Sequence, residues 1–113
     1  AAVTVNASET ALAAYGRLKL YDMSQLPVMH EGRIVGILDE EDILLKVFDH
    51  PDEFNQPVAD IMARHLVTVA PDASLPQLIE IFKHGMVAIV VDQGEFLGLI
   101  TRFDLVNWLR RRL

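Results

Sequence analysis

Near the C-terminus, Thr101 and Asp104 stand three residues apart in the run Gly98-Leu99-Ile100-Thr101-Arg102-Phe103-Asp104-Leu105. A carboxylate in this position can accept two hydrogen bonds from a vicinal diol such as that of a ribose. The free amides of a helix start favour an anion or a polar tail beside it. The same pair also makes a helix cap, with Thr101 as N-cap and Asp104 at the third helical position closing a capping box. The two roles are compatible. A related run, Gly36-Ile37-Leu38-Asp39-Glu40-Glu41-Asp42, keeps the late aspartate as Asp42 and puts Asp39 in place of the hydroxyl. Asp39 still caps a helix, yet its charge repels a phosphate placed at that helix start. The two sites are therefore expected to be unequal, with the one at Asp42 the weaker.

Other chemistries find little support. The chain has no cysteine, which excludes disulfides, thiolate nucleophiles and cysteine-bound zinc or iron–sulfur centres. His30, His50, His65 and His84 are scattered without metal-ligand spacing. Ser8, Ser24 and Ser74 lack a nearby base or a nucleophile elbow. The six glycines form no phosphate loop. The acidic run Asp39–Asp42 reads as the solvated start of a helix, since consecutive helical residues point in different directions. No catalytic residue and no metal site are expected. Net charge is −6, which disfavours a phosphate-tracking surface for nucleic acid. Arg110-Arg111-Arg112 suits the negative end of a last helix.

The elements that must position these groups occur twice. Val3-Thr4-Val5 recurs as Val67-Thr68-Val69, and Gly32–Leu38 recurs as Gly94–Ile100. A two-residue length difference in the first helix or its flanks reconciles the two offsets, with a divergent joint near Asp49–Pro57. Each copy reads as strand, helix, strand, strand, helix. In the first, Asn6 and Glu9 have capping-box spacing ahead of the stripe Ala11, Leu12, Tyr15 and Leu18. Leu26–Met29 and Ile34–Leu38 are strands joined by a glycine turn, and Asp39–Phe48 is a helix with Ile43, Leu44, Val47 and Phe48 inward. In the second, Ser74 and Gln77 start a helix whose stripe is Leu75, Leu78, Ile79 and Phe82, and Gly85 ends it. Met86–Val91 and Phe96–Ile100 are strands, and Thr101–Leu113 closes the chain as a helix. Val58–Met62 forms a short helical turn. The expected organisation is two units, 1–56 and 57–113. A unit of about 55 residues buries too little surface to be comfortable alone, so the pair is expected to share an interface.

This duplication resembles the CBS domain pair, also called a Bateman module. The residues that carry the likeness are the two runs ending in Asp42 and Asp104, the lead-in Asp60-Ile61-Met62 and the strand start Pro27-Val28. The resemblance implies a mixed α+β or α/β fold, a tandem of β-α-β-β-α repeats related by a pseudo-twofold axis. It implies a non-catalytic regulatory module for an adenosyl ligand: S-adenosylmethionine, AMP, ADP or ATP. It assigns Asp104 to the ribose, Thr101 to the ribose or tail, and Leu97, Leu99 and Phe103 to the pocket lining. Met23, Ser24, Gln25 and Leu26 of the first repeat would form the opposite wall. Ser24 departs from the acidic residue that some S-adenosylmethionine-binding relatives carry near that position. A second, weaker cleft would use Asp42 and Asp39 with Gly85, Met86, Val87 and Ala88. Phe54–Val58, His84–Val90 and Gly98–Arg112 further resemble the C-terminal regulatory region of bacterial cystathionine β-synthase-type enzymes. That likeness implies a pyridoxal-phosphate-dependent domain upstream, with no cofactor held in this segment. The start without Met is the expectation for a piece of a longer protein. With no signal-like N-terminus and no long apolar run, the expected location is the cytoplasm, without membrane contact. The remaining reading is a homodimer scaffold with empty clefts, for which a mean hydropathy of +0.26 is compatible.

Overall fold

The computed structural model describes residues 3–112, which fall into two compact units meeting in sequence between Leu66 and Val67. The first unit runs β1 (Val5–Asn6), α1 (Ala11–Leu20), β2 (Gln25–His30), β3 (Arg33–Asp39) and α2 (Glu40–Val47). Short 3-10 turns follow at Pro51–Asn55 and Val58–Asp60. The second runs β4 (Thr68–Val69), α3 (Leu75–Lys83), β5 (Ala88–Asp92), β6 (Glu95–Ile100) and α4 (Arg102–Arg111). Each unit holds one three-stranded sheet, its first strand parallel to the second and the second antiparallel to the third. The sequence-based closing helix extends to Leu113, which lies outside the described residues. No helix among the described residues is long and apolar enough to cross a membrane.

The repeat extends to backbone detail. Both hairpins close with two residues at positive φ, Glu31-Gly32 and Gln93-Gly94, the turn geometry that matches the twist of the flanking strands. Both carry a bulge at the same place, between Val28 and Met29 and between Val90 and Val91. Both first helices end with an αL residue, Asp22 (φ 52°) and Gly85 (φ 71°). The following amide then returns to the helix, Met23 N–H to the Leu18 carbonyl at 2.9 Å and Met86 N–H to the Ile81 carbonyl at 3.4 Å. These landmarks locate the two-residue length difference. The helix caps Thr10 and Ser74 are 64 positions apart, the αL residues 63, and the strand residues Leu26 and Ala88 62. One extra residue lies within the first helix and one in the loop after it.

The sequence boundary between copies differs from the spatial one. Residues 57–63 pack on the first unit: Val58 N–H bonds to the Glu9 carbonyl at 2.8 Å, and Ile37 and Ala63 exchange backbone hydrogen bonds at 2.9 and 2.8 Å. Val58 is completely buried there, beside Leu18, Leu26 and Leu38. Apolar residues at 58, 61 and 62 cover the first sheet, so the chain joins the second sheet only from Val67.

Three details of the helix reading are corrected. The α1 cap is Thr10, whose hydroxyl accepts from Ala13 N–H at 3.1 Å. Asn6 and Glu9 instead close the preceding turn, with Asn6 N–H bonded to Glu9 Oε2 at 2.8 Å. On α1 the buried line is Ala11, Ala14 and Leu18, and Leu12 faces solvent. On α2 only Ile43 and Val47 are buried, and Leu44 and Phe48 are exposed. The physical reason is width: a helix lying on one small sheet buries a single i, i+3/i+4 line, and the next apolar row falls outside it. The α3 reading meets the same limit, since neither α3 nor α4 contains a fully buried residue.

Candidate functional site

The sheet hairpins deliver the candidate groups to two helix starts. In the second unit, Ala88 pairs with Ile100 at the end of the β5–β6 ladder, and the chain turns directly into α4. Thr101 has extended φ/ψ and caps the helix. Asp104 N–H donates to Thr101 Oγ1 at 3.2 Å, while Thr101 N–H and its hydroxyl both donate to Asp104 Oδ2, at 2.8 and 3.1 Å. All three bonds use one carboxylate oxygen or the threonine hydroxyl. Asp104 Oδ1 takes no hydrogen bond among the described residues, and the side chain is exposed. The cap thus orients the carboxylate and leaves its second oxygen available. Beside it lies an open groove of about 370 Å³ lined by Ala73, Leu75, Leu78, Ile100, Leu105 and Trp108, with Asp104 its only charged member.

In the first unit, Gln25 pairs with Asp39 at the corresponding ladder end, and Glu40 N–H donates to the Ser24 carbonyl at 3.3 Å. Asp39 and Asp42 form the same reciprocal cap, Asp42 N–H to Asp39 Oδ1 at 2.7 Å and Asp39 N–H to Asp42 Oδ2 at 3.2 Å. Here the cap is two carboxylates, and both are half-buried. Burial foremost, then the charges of Asp39 and Glu41, push the Asp42 carboxyl above its ordinary value, against the pull of the Asp39 amide. A folded state holding that proton more tightly than the unfolded chain loses stability as pH rises from the ordinary aspartate range through the raised value. Asp42→Asn keeps an acceptor for Asp39 N–H and removes the titration. The variant is therefore expected to gain stability relative to the parent as pH rises through and above the ordinary aspartate range. Urea midpoints across that range check this; parallel profiles would refute it.

Within each unit the fold collects one set of candidates. Met23, Ser24, Gln25, Leu26, Asp39 and Asp42 lie in the first unit, and Gly85, Met86, Val87, Ala88, Leu97, Leu99, Thr101, Phe103 and Asp104 in the second. Their exposure separates them. Ser24, Leu97 and Phe103 are exposed; Met23, Gln25, Met86, Val87, Leu99 and Thr101 are half-buried. Leu26 and Ala88 are fully buried in their own units, because each is the inward residue at the start of its strand. Leu26 is thus a core side chain of the first unit. Phe103 stacks under its neighbour, with the Arg102 guanidinium 5.2 Å from the ring centroid.

Two neighbourhoods escaped the sequence reading. Trp108 comes to the Asp104 groove from one turn further along α4, while Leu75 comes from α3, a position no short motif connects to Asp104. Arg17 forks onto Glu9 with bonds of 2.8 and 2.9 Å and reaches the Thr4 carbonyl at 2.9 Å, tying the β1 entry to α1. The Arg17 hydrogen bonds hold the Glu9 carboxyl below its ordinary value. An eight-residue spacing across a turn gives no sequence signal for such a pair.

The duplicated geometry has a match among known proteins. The pattern of the CBS domain fits the chain twice, over residues 1–49 and 58–111. The chain belongs to the CBS domain family. It is 26% identical to the CBS domain-containing protein YhcV of Bacillus subtilis, across 90% of this chain and 74% of that protein. It is also 26% identical to cystathionine beta-synthase of Dictyostelium discoideum, across 96% of this chain but only 23% of that enzyme. Among solved structures, the CBS-domain containing protein ATU1752 of Agrobacterium tumefaciens superposes with a TM-score of 0.86 at 25% identity, covering all of this chain and 90% of that one. CBS domains are regulatory modules and not catalysts, and this chain is a tandem pair of them.

Proposed function

We propose that this CBS pair is a sensor of an adenosyl ligand, an adenine nucleotide or S-adenosylmethionine, and that it controls an enzyme attached to it or bound by it. The observation that carries the reading is the state of Asp104. Its Oδ2 is held by the cap, and its Oδ1 stays open at an exposed helix start, the arrangement needed to accept from a ribose diol without reorganisation. Thr101 would lie near the ribose or tail, and Leu97, Leu99 and Phe103 would cover apolar parts of the ligand. Met23, Ser24 and Gln25 are proposed as further ligand contacts on the strength of the family resemblance. The companion set at Asp39 and Asp42 serves a phosphate-bearing ligand poorly, because two carboxylates already occupy that helix start. The controlled enzyme is proposed as a pyridoxal-phosphate-dependent one of cystathionine β-synthase type, a reading supported by the Dictyostelium likeness.

Thermal unfolding with AMP, ADP, ATP and S-adenosylmethionine tests the sensor. At 100 times the dissociation constant a ligand adds about 2.7 kcal/mol of stability. Asp104→Asn retains an acceptor for the Thr101 amide and is expected to weaken binding by roughly ten- to a hundredfold, the worth of a hydrogen bond to a charged group. No response to any of the four at millimolar concentration would refute the sensor.

A second reading, self-association, rests on the apolar side chains that the helices present to solvent, among them Leu44, Phe48, Phe103 and Val106. Such faces mark protein interfaces.

A further inference from the structure

The first unit carries a cover that the second lacks among the described residues. Residues 56–59 run along the start of α1, where Ala11 N–H bonds to the Gln56 carbonyl at 2.9 Å and Ala59 N–H to the Ala7 carbonyl at 3.1 Å. Val58 belongs there to one buried cluster with Ala11, Ala14, Leu38 and Ile43. Further on, Ala63 pairs with Ile37, and Met62 lies over Gly36. The repeat counterparts of the four cluster residues are Leu75, Leu78, Ile100 and Leu105. They line the open groove of about 370 Å³ beside Asp104, and none of them is fully buried. Leu99 stands opposite Ile89 as Ile37 stands opposite Pro27, yet no described residue pairs with its outer side. A methyl group at Gly98 meets nothing within 4 Å. The groove, the strand edge at Leu99 and the room over Gly98 thus match the three contacts that the first unit makes with a single segment. That segment also shows what fits them: a short turn with apolar residues at its first, fourth and fifth positions, then one residue that pairs with a strand edge.

We propose that this face of the second unit is the docking site for a segment of the enzyme that the pair controls, built like Val58, Ile61, Met62 and Ala63. The proposal rests on the sensor reading for its partner and adds where that partner is held. Asp104 is the charged member of the groove and also the proposed ribose contact, so ligand and segment meet at one side chain. A ligand that binds better with the segment in place favours docking, and docking favours the ligand by the same factor.

Trp108 is the chain's only tryptophan, and it lines the groove at 42% exposure. The probe is the peptide Pro57–Arg64, which contains no aromatic residue, added to the whole chain without any adenosyl ligand. A saturable blue shift of the Trp108 emission is expected, and none from the peptide carrying Val58→Asp. Gly98→Ala leaves the fold intact, since its methyl has room. It is expected to weaken the peptide roughly tenfold, because that methyl would crowd the docked segment as one at Gly36 would crowd Met62. No shift at millimolar peptide, or an equal shift in Gly98→Ala, overturns the docking site. A shift that accompanies dissociation of a dimer of the chain in sedimentation gives the groove to a second copy and overturns the partner. In the assembly with the enzyme, Gly98→Ala is expected to abolish the effect of AMP, ADP, ATP or S-adenosylmethionine on its rate while that ligand still binds; an unchanged effect overturns the enzyme as occupant. The peptide arm uses neither ligand nor enzyme, so a chain that takes the peptide and none of the four ligands refutes the sensor alone.

Discussion

Gly36→Ala destabilises the first unit by about 1–3 kcal/mol, whereas its repeat partner Gly98→Ala changes stability by less than about 0.5 kcal/mol. The two glycines hold the same place in the same motif, each just after the strand bulge. Their surroundings differ. A methyl group at Gly36 would overlap Met62 Sδ and come within 2.9 Å of the Ala63 carbonyl oxygen. That carbonyl is fixed by its 2.9 Å bond from Ile37 N–H, so backbone has to move as well as the methionine. At Gly98 an added methyl meets nothing within 4 Å. Urea denaturation followed by circular dichroism measures both variants. Equal effects would show that the segment 57–63 does not pack on β3 as described.

Leu26→Ala is expected to cost about 2–5 kcal/mol, the range for emptying a leucine site in a core. Leu26 is completely enclosed beside Val5, Leu18, Val28 and Leu38. The same residue was expected from the family resemblance to line a ligand pocket. The two roles predict different outcomes. A core residue lowers stability in the absence of any ligand; a pocket residue lowers ligand affinity with stability nearly unchanged. Met23→Ala is the useful comparison, since Met23 is half-buried and packs at the margin of the same cluster. Denaturation midpoints without ligand decide the matter. A loss below about 0.5 kcal/mol for Leu26→Ala would return that side chain to the site.

Much of the architecture was legible because the chain states it twice. Two glycine turns, two late aspartates and two β-branched openings at near-constant spacing define a repeated β-α-β-β-α unit, and local chemistry is enough to read them. The capping boxes at Asp39–Asp42 and Thr101–Asp104 followed from spacing for the same reason: their bonds span three residues and need no distant partner. The Asn6–Glu9 pair had that spacing too and does make the Asn6 N–H to Glu9 bond, but in the turn before α1, where Glu9 also holds Arg17, and Thr10 caps the helix.

By itself, the sequence determined the repeat, the strand and helix types, the turn chemistry and the absence of thiol chemistry, all matters of neighbours along the chain. Tertiary structure alone decided which side of each helix is covered, that residues 57–63 serve the first sheet, that Leu26 is core and that Asp42 is raised while Asp104 stays open. The physical reason is that burial depends on what packs from a distance. An apolar side chain has the same hydrophobicity in either role, and a carboxylate has the same charge. Only the surroundings brought by remote residues such as Met62, Ala63 and Leu75 distinguish a core from an interface, or a cap from a binding group.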